Sequence, residues 1–233
     1  MKVFRFTLFV LIISLAGELY AQSNQESWAM YNVYADANTK IRQDKTPVKA
    51  VFMGNSITQM WYYMRQDFFQ SNNYLGRGIG GQTTPQMLSR FRLDVVALHP
   101  QVVVINGGIN DIATNTGTYD FEFTFGNFQS MAEIAAANGI KVILTSVLPA
   151  AEIPWRKEIS AVPAKVDQLN AAIKEYCQAK GFTYLDYYTH LVSNDGSKGL
   201  PKEYTSDGVH VTAQGYAVME KLVKEAIDKA LAK

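Results

Sequence analysis

The chain has 233 residues and sets 22 basic side chains against 21 acidic ones, a formal net charge of +1, so it lacks the basic surface that nucleic acid requires and such a partner is excluded. Its 48% hydrophobic content suits one full core without division into two domains, and its single cysteine, Cys177, excludes an intramolecular disulfide.

In chain order, the first pattern is MKVFRFTLFVLIISLAGELY, where Lys2 and Arg5 precede an apolar run from Phe6 to Ala16 and the small Ala21 comes before Gln22. This reads as a secretory signal peptide over residues 1–21, with a secreted or periplasmic domain over 22–233. The run is shorter than the roughly 20 apolar residues that span a bilayer, and Glu18 follows it, so membrane insertion after cleavage is not expected. No cysteine follows it to accept a lipid.

Apolar runs then alternate with helical patterns: VKAVFMG, YLGRGIG, VVVINGG, KVILTSV and FTYLDYY. Continuous apolar runs suit strands buried on both faces, and the alternation predicts an α/β fold with a parallel sheet covered by helices. Between them, TPQMLSRFRLDVVALHP repeats Met87, Leu88, Phe91, Val95 and Leu98 near helical spacing up to Pro100. FGNFQSMAEIAAANG closes on Asn138 and Gly139, VPAKVDQLNAAIKEYCQAKG closes on Gly181, and the C-terminal helix is capped by Thr212. Cys177 falls on the second of these helices with no histidine nearby and reads as a packed small hydrophobe.

In an open parallel sheet, ligands bind outside the carboxyl ends of the strands. Four polar features fall there: Ser56 after the first strand, the glycines Gly78, Gly80 and Gly81 after the second, Asn110 and Asp111 after the third, and Asp207 with His210 before the last helix. A serine hydroxyl needs a base before it is a useful nucleophile at neutral pH. Of the three histidines, His99 lies on the amino side of the third strand, the wrong edge, and His190 in a loop after the fifth strand remains open. His210 is preferred because Asp207, three residues earlier, can hold its ring in the useful tautomer. The backbone NH groups of Ser56 and Gly81 and the side-chain amide of Asn110 are suitable donors for an oxyanion. Taken singly, a serine after Gly-Asn is an ordinary helix cap and Asp-Gly an ordinary turn.

The blocks GNSIT, GIGGQT, GGIND and DGVH, in that order, resemble the four sequence blocks of the SGNH hydrolases, the GDSL-like esterase, lipase and acylhydrolase family, from about Val48 to the C-terminus. WAMYNVYADANTK is similar to the leading helix of the acetylhydrolase-like branch. The resemblance implies a three-layer α/β/α sandwich with a five-stranded parallel sheet, flavodoxin-like in outline. It implies Ser56 as nucleophile, Asp207 and His210 completing the triad, Gly81 and Asn110 with Ser56 in the oxyanion hole, and no cofactor. The chain departs from the family where Asn55 and Gln82 stand in place of Asp; Asn55 reads as a supporting hydrogen-bonding group behind the nucleophile.

Two rival readings come from other classes. Gly76, Gly78 and Gly81 satisfy the G-x-G-x-x-G of a dinucleotide loop, but the acid expected to end the next strand is replaced by Asp94 inside a helical pattern. Trp61, Tyr62, Tyr63 and Trp155 would suit a catalytically impaired sugar-binding relative, although WYYMRQDFF also fits core packing. A metal site on Asp207 and His210 lacks a third ligand. The expected reaction is hydrolysis of a small-molecule or glycan ester, with short acyl groups, especially acetyl on carbohydrate, preferred over a lysophospholipase-like lipid substrate because no long apolar insertion offers a lid. The segments 114–125 and 149–162, the latter with Trp155 and Arg156, are expected to border the pocket.

Overall fold

The computed structural model describes residues 28–232, and the signal peptide over residues 1–21 lies outside the described residues. In chain order the elements are α1 (Ala35–Asp44), β1 (Ala50–Gly54), α2 (Ser56–Met64), α3 (Gln66–Ser71), β2 (Tyr74–Gly78), α4 (Thr84–Asp94), a 3-10 turn (Val96–Leu98), β3 (Val102–Ile105), α5 (Ile109–Ile112), α6 (Phe121–Ala137), β4 (Lys141–Thr145), α7 (Val162–Lys180), β5 (Thr183–Leu185), α8 (Tyr188–Leu191) and α9 (Ala213–Leu231). The five strands form one sheet in the order β2-β1-β3-β4-β5, every pair parallel. Helices α2, α3 and α9 cover one face, and α4, α6 and α7 the other, giving the three-layer α/β/α sandwich.

β1 and β3 are buried along their whole length, which is why their sequences run apolar without alternation. On the α2/α9 face an aromatic cluster fills the layer. Trp61 stacks on Tyr216 at 5.4 Å and meets Phe52 edge-on at 5.4 Å, and Phe69 meets Phe52 at 5.1 Å. Trp61 is therefore a core residue, while Tyr63 on the outer side of the same helix is exposed.

The predicted helix through Leu98 stops at Asp94. Val95 leaves helical geometry, the 3-10 turn follows, and His99 closes it at φ 48°. Asp94 turns inward to Arg90 and Asn38, and the β-branched Val95 and Val96 add little helical preference to oppose the break. The leading helix also starts later than WAMYNVYADANTK suggests, at Ala35, leaving Ala29 to Tyr34 as an irregular strap. Thr212 caps α9 as expected, and Gly181 closes α7 at φ 72°.

The order of the sheet decides where a site forms. The chain runs from β1 outward to β2 and returns past β1 to β3, so the connections leaving β1 and β3 diverge and open a crevice between their carboxyl ends. Ser56 follows β1 and Asn110 follows β3.

Candidate active site

Ser56 is the first residue of α2. Asn55 caps that helix: its Oδ1 accepts from the NH of Ile57 at 3.1 Å. The turn is tight because β2 lies directly beside it. A Cβ on Gly78 would come within 2.3 Å of the Gln59 nitrogen and 2.6 Å of the Asn55 oxygen, so only glycine fits. A Cβ on Gly76 would likewise strike the Tyr62 side chain at 2.8 Å. These glycines serve close helix-to-strand packing, and Asp94 is ion-paired to Arg90 in the interior, so the features behind the dinucleotide reading have other uses.

The loop before α9 builds its own geometry. Asp207 Oδ1 accepts from the NH groups of Val209 at 2.9 Å and His210 at 2.7 Å, leaving Oδ2 to receive the His210 ring at Nδ1, 2.6 Å away. Thr205 donates to the His210 carbonyl at 2.7 Å and accepts from Gly208 NH at 2.9 Å, which closes the loop. With the Nδ1 proton directed at a carboxylate, Nε2 presents its lone pair, and it lies 3.0 Å from Ser56 Oγ across 154 positions of sequence. Burial pushes the Asp207 carboxyl upward, but the hydrogen bonds from the His210 ring and from the His210 and Val209 backbone outweigh it, and the net displacement is below the usual carboxylate range. The acid therefore stays ionised at neutral pH.

Two further contacts hold the loop against the serine. Tyr216, fully buried on α9, donates to the Ile57 carbonyl at 2.7 Å, joining the helix after His210 to the helix that begins at Ser56. Arg65 grips Glu220 through two nitrogens at 2.7 and 2.8 Å. On the open side, the indole of Trp155 stacks on the His210 ring at 5.8 Å and 24°, with 45% of the residue exposed. Arg156 donates to Thr114 Oγ1 at 2.8 Å, so the two segments expected to border the pocket are joined to each other there.

On the other side of the crevice, Gly81 adopts φ +75°, a Cβ built there would meet nothing nearer than Asn115 Nδ2 at 4.0 Å, and the Gly81 carbonyl accepts from that same Nδ2 at 3.0 Å. Asn110 is buried in the first turn of α5 and donates one amide hydrogen to the Gln82 carbonyl at 2.9 Å, leaving the other. The neighbouring Asp111 accepts from Thr84 Oγ1 at 2.6 Å and from Thr84 NH at 3.1 Å, which pins the start of α4 to α5. Burial raises its carboxyl to about 6, against the opposing hydrogen bonds from Thr84.

The remaining candidates lie apart. His190 places Nδ1 at 2.9 Å from the Asp186 carbonyl, and His99 sits after the 3-10 turn at the opposite edge of the sheet. Cys177 is buried, and burial pushes its thiol to about 12, which removes thiolate chemistry. Among the described residues, no group of three or more His, Cys, Asp or Glu is placed to hold a metal ion, and no helix is long and apolar enough to cross a membrane. Sequence reasoning missed Tyr216, Arg90 and the part played by Asp111. Only the Arg90/Asp94 pair left a local signal, an i,i+4 spacing of opposite charges.

A doubly wound sheet with a serine and a histidine in contact at its switch point defines a serine-type hydrolase. Residues 52–218 match the GDSL-like lipase/acylhydrolase family, and the chain belongs to that family. A GDSL-like lipase from Bacteroides thetaiotaomicron superposes with a TM-score of 0.83 at 52% identity, over 87% of this chain and 98% of that one. A second structure, from Bacteroides fragilis, gives 0.84 at 49% identity, over 88% and 99%. An N-acylneuraminate cytidylyltransferase from Streptococcus agalactiae is 26% identical over 157 residues, 67% of this chain. The chain spans only 35% of the length of that curated relative.

Proposed function

We propose that this member of the GDSL-like family hydrolyses short acyl esters, acetyl above all, carried on carbohydrate, through a Ser56-His210-Asp207 triad. The contact that carries the reading is His210 Nε2 to Ser56 Oγ at 3.0 Å, with Asp207 on the opposite ring nitrogen. Ser56 Oγ attacks the ester carbonyl as Nε2 takes its proton, and Asp207 stabilises the imidazolium. The NH groups of Ser56 and Gly81 and the free amide hydrogen of Asn110 receive the oxyanion. The tetrahedral adduct then expels the alcohol, which His210 protonates, and water repeats the sequence on the acyl-serine to release the acid.

The substrate class rests on three supports. The half-exposed Trp155 against His210 offers a flat apolar wall to a sugar ring, whose CH faces stack on aromatics. The segments 114–125 and 149–162 carry no long apolar lid. The matched N-acylneuraminate cytidylyltransferase, of which this chain spans 35%, is named for a sugar acid with an N-acyl group, which supports the carbohydrate part of the reading and not the ester. The N-terminal pattern of residues 1–21 supports action outside the cytoplasm, on secreted or periplasmic substrates.

The test is a chain-length series of p-nitrophenyl esters on the parent and Ser56→Ala proteins, followed by acetate release from acetylated glycans. Acetyl ester turnover that drops roughly 10⁴-fold or more in Ser56→Ala is expected. Preference for long acyl chains would replace the carbohydrate reading with a lysophospholipase-like one. Sugar binding without turnover by the parent would leave an impaired relative.

A further inference from the structure

Behind the crevice lies a polar group that the reaction above does not use. Arg90, on α4, has no exposed surface, yet its guanidinium makes three separate hydrogen bonds. Nη1 donates to Asp94 Oδ2 at 2.8 Å, Nη2 to the Gly54 carbonyl at 2.9 Å, and Nε to Gln82 Oε1 at 2.6 Å. Gln82 is also buried, and its Nε2 donates to the Ala29 carbonyl of the strap at 2.7 Å. Asp94 is held on its other oxygen by Asn38 at 2.7 Å, and Asn38 Oδ1 accepts from Arg77 Nη2 at 2.8 Å.

The three oxyanion donors each sit next to this group. Gly54 lies two residues before Ser56, and its carbonyl also accepts from Ile79 NH at 3.2 Å, so β1 and the start of the Gly81 loop meet at one oxygen. Gly81 immediately precedes Gln82. Asn110 donates its amide to the backbone carbonyl of Gln82 at 2.9 Å, the same residue whose side chain Arg90 holds. The planar, always charged guanidinium is suited to join three acceptors in fixed directions, which a lysine is not.

We propose that Arg90 and Gln82 are positioning residues: a buried brace that sets the Gly81 NH and the Asn110 amide against the Ser56 NH, and so fixes the size and direction of the oxyanion hole. This inference rests on the triad reading of the same crevice. It gives Gln82 a purpose where the family resemblance leads one to expect Asp: the neutral amide accepts from Arg90 and has a donor left over to bind the strap at Ala29, which a carboxylate lacks. The strap ahead of α1 thereby becomes part of the site's framework without touching substrate.

A brace that acts on the transition state lowers kcat when removed and leaves KM nearly unchanged, because oxyanion contacts are made only as charge develops. The experiment compares the parent with Gln82→Met, which keeps volume but deletes both hydrogen bonds, and Gln82→Glu, which keeps the acceptor for Arg90. Each is checked for folding by circular dichroism and thermal melting, then assayed on p-nitrophenyl acetate and for affinity to phenylboronic acid, which forms a tetrahedral adduct with serine. Gln82→Met is expected to lose about 10- to 100-fold in kcat, the scale of a small misplacement of catalytic groups, with a parallel loss of boronate affinity and KM within about twofold. Gln82→Glu, which keeps the acceptor for Arg90 and loses the donor to Ala29, is expected to recover part of that loss. Arg90→Lys, which keeps the charge beside Asp94 but not the fork, serves if Gln82→Met does not fold, with the same expected loss. Folded Gln82→Met, or failing that Arg90→Lys, with the parent's kcat and boronate affinity overturns the brace, as does a Gln82→Glu protein as impaired as Gln82→Met. A parent without ester turnover, or a Ser56→Ala protein that retains it, overturns the triad reading instead.

Discussion

The two halves of the crevice are built in opposite ways. The half proposed for acid-base work is local: Thr205, Asp207, Gly208, Val209 and His210 hold one another through hydrogen bonds that span two to five positions. The half proposed for the oxyanion is assembled from distant pieces, with Asn110 reaching Gln82 across 28 positions, Arg90 reaching Gly54 across 36 and Gln82 reaching Ala29 across 53. A local loop keeps its shape wherever it is placed. The oxyanion side keeps its shape only while the sheet, α4 and the strap are packed together, so the two halves should fail differently when perturbed.

The strongest way to separate them is Asp207→Asn. The loop backbone survives through the remaining Oδ1 acceptor and Thr205, while the Nδ1 partner changes character, so kcat on p-nitrophenyl acetate is expected to fall about 10⁴-fold with little change in melting temperature. A loss below about tenfold would remove Asp207 from the orienting role. Asn110→Ala is expected to cost less in rate, about 10²- to 10³-fold in kcat, because one of three oxyanion donors is deleted. It should also cost stability, since the Gln82 carbonyl loses its partner; an effect on KM alone would contradict the assignment.

The smallest effect is on stability against pH, and it lies beside the oxyanion side. Asp111 has a folded pKa of about 6 set against 3.8 for the free group, so the folded state holds the proton more tightly. Its contribution to stability is full below about pH 4 and is lost as pH rises through about 6. The stability of the parent relative to Asp111→Asn, from denaturant melts, should therefore decline by up to about 3 kcal/mol between about pH 4 and pH 7. A difference that stays flat over this range would mean that the carboxyl does not titrate there.

The same contrast explains what could be read from the sequence. DGVH carries its own geometry in four residues, and the strands of one buried sheet show as unbroken apolar runs, so the fold and the pairing of Asp207 with His210 were legible. Gln82 showed only as a departure from a family pattern, because its partners Arg90 and Ala29 lie on other elements. The helix through Leu98 was overextended for a related reason: apolar spacing continues past Asp94, but the inward pull of Arg90 and Asn38 on that carboxylate is tertiary. Asn55 fits a supporting hydrogen-bonding group by sequence, and it is a helix cap with its Nδ2 buried and unpartnered, a cost no local pattern announces.

The stack of Trp155 on His210 has an optical consequence. An indole lying face-on at 5.8 Å from an imidazole is quenched more strongly when that ring carries a proton, so the emission of Trp155 is expected to follow the charge state of His210. Trp61 is buried in the aromatic layer and responds to other surroundings. With Trp28 and Trp61 replaced by phenylalanine, the protein would carry its own fluorescent indicator at the ring proposed to exchange the proton, readable without a label.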